Sequence, residues 1–139
     1  MNNSIIFLPV IAHMLLVYGL YIYLGKVKSC AVKAGQVDRQ KAALNAKEWP
    51  DCVVKVSNNL ANQFESPILF YMLALMYFLS GNVSTVVLIL MSFYVFSRYA
   101  HAYVHVTSNY VPYRFKFFLV GALILLALTL FLMLKLLTM

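Results

Sequence analysis

Apolar residues run almost unbroken from Ile5 to Gly25, "IIFLPVIAHMLLVYGLYIYLG", and again from Phe117 to Leu137. A membrane-crossing helix needs about 20 largely apolar residues, and the first stretch supplies about 31 Å at a rise of 1.5 Å per residue. Pro9 falls near its start, where a proline disturbs a helix least. With no basic n-region and no small-residue cleavage site, the stretch reads as a retained span rather than a signal peptide.

The two middle apolar stretches are interrupted. Pro67 to Leu79 is too short to cross alone, so the second helix is predicted to begin near Val54 to Asn58 and to carry Asn62 and Glu65 with it. Ser80-Gly81-Asn82 is an uncharged polar turn. The third span starts at Val83 and continues through Arg98; Asn109 to Tyr113, with Pro112, is the predicted return turn. Four spans follow, at about 5–25, 56–79, 83–106 and 114–137, in a single all-α membrane domain with no internal repeat. Lys135 can snorkel at the end of the last span.

Residues 26–55 form the only long polar stretch, with Lys26, Lys28, Lys33, Arg39, Lys41, Lys47 and Lys55. "VDRQKAALNAKEW" within it is expected to be a solvated loop rather than a short surface helix. The positive-inside rule places this segment in the cytoplasm and both termini on the opposite side.

Composition agrees with the pattern. The 139 residues are 63% hydrophobic and 11% charged, with mean hydropathy +0.83, well outside the range of soluble domains. The formal charge is +7, and most of the basic residues crowd into the connecting segment instead of a soluble basic patch, which argues against nucleic acid and for the lipid bilayer as partner. Cys30 and Cys52 flank that segment, are expected to stay reduced, and make no metal-ligand spacing with a histidine.

Candidate chemistry lies where polarity interrupts the middle spans. Asn58, Asn62 and Glu65 recur at i, i+4 and i+7; Tyr94, Arg98, His101 and His105 recur at i, i+4, i+7 and i+11. Each set forms one helical stripe, and both lie toward the same end of the membrane. A charged residue at mid-membrane costs about 2.5–3.5 kcal/mol on insertion scales, so Glu65 is expected to pair with Arg98. One carboxylate would then face Arg98, Arg114 and Lys28, an excess of cation that calls for an anionic ligand. His13 in the first span is expected to pack or to bond within the bundle. A four-span proton-coupled exporter is disfavoured because the first span has no carboxylate.

At these residues the chain resembles the membrane-associated proteins in eicosanoid and glutathione metabolism, the MAPEG family, in a bacterial-type form. "NQFE" (Asn62 to Glu65) resembles the family's N-x-x-E, and "RYAHAYVH" (Arg98 to His105) its R-x-x-H-x-x-x-Y. "PYR" (Pro112 to Arg114) is similar to its P-x-R, and "GKVK" (Gly25 to Lys28) to the end of its first helix. The resemblance implies a homotrimer of four-helix protomers with glutathione bound between subunits near the cytoplasmic face. It implies that Arg114 holds the thiol as thiolate, that Lys28 meets a carboxylate of glutathione, and that Asn62 and Glu65 meet its peptide and amine. Arg98 and His101 would complete the wall, and a lipophilic electrophile would arrive from the bilayer. Asn58 and His105 hold the positions of a ligand-binding arginine and tyrosine, and Phe115 that of a hydroxyl-bearing residue. The functional expectation is a glutathione-dependent transferase or peroxidase. The alternative, raised by those three departures, is a non-catalytic protein of the same fold that binds a lipid or another anion. The expected location is the bacterial inner membrane, or the endoplasmic reticulum in a eukaryote.

Overall fold

The computed structural model describes residues 2–138. Within them every regular element is helical: α1 (Phe7–Lys33), α2 (Arg39–Leu44), α3 (Asp51–Asn62), α4 (Pro67–Leu79), α5 (Thr85–Val106) and α6 (Val111–Leu137). Short 3-10 turns precede α1 (Asn3–Ile6) and α3 (Ala46–Glu48). Among the described residues three helices are long and apolar enough to cross a membrane: Asn3–Lys33, Thr85–Val106 and Val111–Leu137.

The apolar core is built by α4, α5 and α6. Phe70, Leu73, Ala74 and Tyr77 of α4 meet Val87, Met91, Tyr94 and Val95 of α5 and Leu125, Leu128 and Leu132 of α6, with Ile6 closing the same end. Gly121 brings α5 and α6 together: a Cβ there would lie 3.0 Å from Ser97 Oγ and 3.4 Å from the Tyr94 ring. Tyr77 donates its hydroxyl to the Leu128 carbonyl at 2.7 Å, and Tyr99 donates to Ala12 at 2.8 Å. These bonds satisfy polar tips in a setting that supplies no water. Large apolar side chains elsewhere on α1, α4, α5 and α6 face outward, Ile22, Leu69, Phe96 and Leu123 among them. That is how helices solvated by lipid present themselves.

Three expectations are corrected. The second helix does not run unbroken from about residue 56: it stops at Asn62 and restarts at Pro67. Pro67 has no N–H to donate and its ring crowds the carbonyl four residues back. The intervening chain tightens to i→i−3 bonds, Phe64 N to Ala61 O at 2.9 Å and Leu69 N to Ser66 O at 3.1 Å. Neither α3 nor α4 alone reaches the length of a span.

The polar segment is not wholly a solvated loop. α1 continues to Lys33, and Arg39–Leu44 is helical because Asp38 caps it, its Oδ1 accepting from Gln40 N at 3.0 Å. The return turn, finally, comes earlier than Asn109 to Tyr113. α6 begins at Val111 with Pro112 in its first turn, where a missing N–H is harmless, and Asn109 makes the turn at φ 53.

Candidate functional site

The buried polar residues gather at the end of the bundle away from the apolar core. Arg98, at 1% exposure, is the largest fully buried side chain. Its Nη2 donates to the Asn62 carbonyl at 3.1 Å and to Gln63 Oε1 at 3.3 Å. The expected ion pair with Glu65 does not form. Among the described residues the one ion pair is Lys41 with Asp38, and Glu65 is exposed. The break before Pro67 explains this: the turn takes Glu65 off the inward face and leaves the backbone oxygen of Asn62 pointing at Arg98.

Gln63 was not singled out by the sequence, yet it is the hub. Its Nε2 donates to Asn59 O at 3.1 Å and Asn59 Oδ1 at 3.0 Å, and Asn59 Nδ2 donates to the Ala102 carbonyl at 3.2 Å. Arg98 has only donors, so the Gln63 oxygen it meets is an acceptor. His13 Nε2, 3.2 Å from the same oxygen, must therefore carry its proton. His13 Nδ1 is then the acceptor, and Tyr71 donates to it at 2.6 Å. One chain of bonds links α1, α4, the 63–66 turn and α5, and His13 takes the bundle bond expected of it. The inward polar residues are Asn59 of α3 and Gln63 just past its end, one residue round from Asn58 and Asn62. The Asn58–Asn59 and Asn62–Gln63 doublets carry polar groups on both faces, and helical spacing alone does not choose between them.

A cavity of about 220 Å³ lies beside this network, lined by Asn62, Glu65, Arg98, His101, Arg114 and Phe115. Arg98 and His101 come from successive turns of α5 and Arg114 from the first turn of α6. Arg114 Nη1 donates to Asn109 Oδ1 at 2.7 Å, so the turn residue with positive φ also holds the guanidinium. His101 Nδ1 donates to the Arg114 carbonyl at 3.0 Å, which leaves Nε2 as an acceptor. Arg98 Nε, His101 Nε2 and Arg114 Nε have no hydrogen-bond partner among the described residues. Buried polar atoms left unpaired cost about 1–3 kcal/mol each; these three lie sealed behind the surface, and what the wall offers an anion is two guanidinium charges with no ion-pair partner among the described residues.

Five of the residues singled out in the sequence thus share one cavity: Asn62, Glu65, Arg98, His101 and Arg114. His105 is buried outside that lining, its ring 5.7 Å from that of His101, with no hydrogen-bond partner at either nitrogen among the described residues. Lys28 and Asn58 are not brought to that cavity. They line another, of about 410 Å³, with Trp49 and Ser57.

A bundle sheathed in apolar side chains, with arginine, histidine and amide groups sunk into one end, defines an integral membrane protein with a polar site at that end. The chain belongs to the MAPEG family, whose model matches residues 6–134. The family includes glutathione-dependent transferases. No curated protein and no solved structure matches the chain.

Proposed function

We propose that the protein is a glutathione-dependent membrane enzyme of transferase or peroxidase type, acting on a lipophilic electrophile. The observation that carries this reading is the cavity that Arg98 and Arg114 line beside Asn62, Glu65 and His101, with no ion pair to either guanidinium among the described residues. Glutathione supplies a thiol, and a cation beside a thiol lowers its pKa from about 8.5 and raises the thiolate fraction at neutral pH. Arg114, fixed by Asn109, is the residue proposed to hold that thiolate; Asn62 and Glu65, which line the same cavity, suit the peptide and amine groups.

In this reading α3 and α4 together make the second of four spans, and protomers associate as a homotrimer in the inner membrane. Because Lys28 and Asn58 line a separate cavity, they serve glutathione only if a neighbouring protomer brings that face to the Arg114 cavity. The same separation favours one other reading, in which the Arg114 cavity binds a smaller anion or a lipid without catalysis.

The thiolate ultraviolet band of glutathione on the purified protein tests the proposal. A band at neutral pH that Arg114→Ala removes supports it. Glutathione bound wholly as thiol, or a band untouched by Arg114→Ala, would contradict it.

A further inference from the structure

The basic segment between α1 and α3 folds over a third cleft, of about 700 Å³, which shares Lys28 and Trp49 with the 410 Å³ cavity and is distinct from the Arg114 cavity. Lys28, Lys33 and Arg39 line it together with Ser29, Val32 and Trp49, and no carboxylate does. The acids nearby in sequence are engaged elsewhere. Asp38 caps α2 and pairs with Lys41 at 3.8 Å, and Glu48 accepts from Asn45 at 3.3 Å. None of the three cations of the cleft has an ion-pair partner among the described residues. Lys28 instead lies over the Trp49 ring, its Nζ 4.8 Å from the ring centre, which fixes one ammonium at the cleft wall.

Depth decides what kind of anion fits. The apolar run of α1 ends at Leu24–Gly25. At 1.5 Å per residue Lys28 stands about 6 Å, and Lys33 about 14 Å, beyond Leu24 along the helix. Lys28 thus falls within the polar layer of a bilayer leaflet, about 5–8 Å thick, and Lys33 stands outside it, on a flexible stem that can reach back toward the headgroups. Trp49 marks the same layer, since indole rings favour the headgroup level. Leu44, 94% exposed on α2, offers an apolar contact beside it.

We infer that this cleft, formed where α2 and Trp49 fold against the end of α1, binds the headgroup of an anionic glycerophospholipid, its phosphodiester met by Lys33, Arg39 and Lys28. Basic clusters just outside a spanning helix attract anionic lipid with about 1 kcal/mol per residue; here three cations surround one cleft rather than spreading over a surface. A free phosphate offers the same charge without the acyl chains that hold a lipid at this depth. Lys28 is shared with the glutathione reading, but Lys33 and Arg39 lie outside the Arg114 cavity, and the test rests on these two.

The test is native mass spectrometry of the detergent-purified protein with phosphatidylglycerol or phosphatidylcholine. The wild type is expected to retain phosphatidylglycerol selectively. The double variant Lys33→Gln/Arg39→Gln should weaken that retention about tenfold or more, while Lys41→Gln/Lys47→Gln, of equal charge loss outside the cleft, should keep it. All four residues are exposed, and the thermal midpoint of each variant checks the fold. Should the first variant unfold, Lys33→Arg/Arg39→Lys preserves the charges and is expected to retain the lipid. Equal loss in the two glutamine variants would reveal diffuse attraction and overturn the inference. So would displacement of the lipid by inorganic phosphate at comparable concentration, or equal retention of phosphatidylcholine.

Discussion

At the scale of single residues, the buried cation is the feature that most constrains the molecule. Arg98 is sequestered with Gln63 Oε1 and the Asn62 carbonyl as its partners, and His13 depends on the same Gln63 oxygen. Replacing Gln63 with leucine would take one bond from each, leaving Arg98 the Asn62 carbonyl and His13 the Tyr71 hydroxyl, at a cost of about 1–3 kcal/mol. Glu65→Gln, at an exposed and unpaired position, should change stability by less than about 0.5 kcal/mol. Thermal unfolding in detergent compares the two, and a larger loss from Glu65→Gln would refute the assignment of Arg98's partners. Arg98, His101 and Arg114 were legible from the sequence because charge and imidazole are rare in apolar surroundings and so stand out. Gln63 was not, since an amide between an asparagine and a glutamate has no such contrast. Its role depends on a helical phase that two adjacent doublets leave open.

Among the elements, α5 and α6 meet tightly at a position without a side chain. Gly121→Ala would place a Cβ 3.0 Å from Ser97 Oγ. Ser97 is itself tied to the Tyr94 carbonyl at 2.7 Å, so its hydroxyl cannot swing aside freely. The expected destabilisation is about 1–3 kcal/mol, with recovery of much of it in Ser97→Ala/Gly121→Ala, where the obstructing oxygen is gone. Additive effects in that double-mutant cycle would show that the helices do not meet there. α5 and α6 matter to the site because Arg98 and Arg114 are carried by them. The long apolar helices were plain in the sequence. The break at residues 63–66 was not, although Pro67 was visible, because a proline in an apolar run announces a kink without saying which side chains it turns inward. Nor was α2 expected, because its start depends on one capping aspartate in a charged segment.

For the whole molecule, composition alone identified the membrane class, and four short motifs in order indicated the family. What pattern could not supply was the division of the expected ligand set. Asn62, Glu65, Arg98, His101 and Arg114 share a cavity, while Lys28 and Asn58 face another, because the folded segment before α3 covers the end of α1. The proposed topology has its own check in two native reporters, since Cys30 and Cys52 are free and exposed beside the basic segment. A membrane-impermeant maleimide should label both in inverted inner-membrane vesicles and neither in intact cells. A cysteine introduced at Asn2 or Thr138 should show the reverse. Labelling of Cys30 or Cys52 from outside intact cells would invert the orientation. In the proposed function the Arg98–Arg114 cavity holds a glutathione thiolate. Isothermal titration of glutathione into the purified protein, beside Arg114→Ala, is the sharpest check. Saturable binding in the micromolar to millimolar range that the substitution weakens is expected; no heat at millimolar glutathione, or binding indifferent to Arg114, would overturn the proposed function.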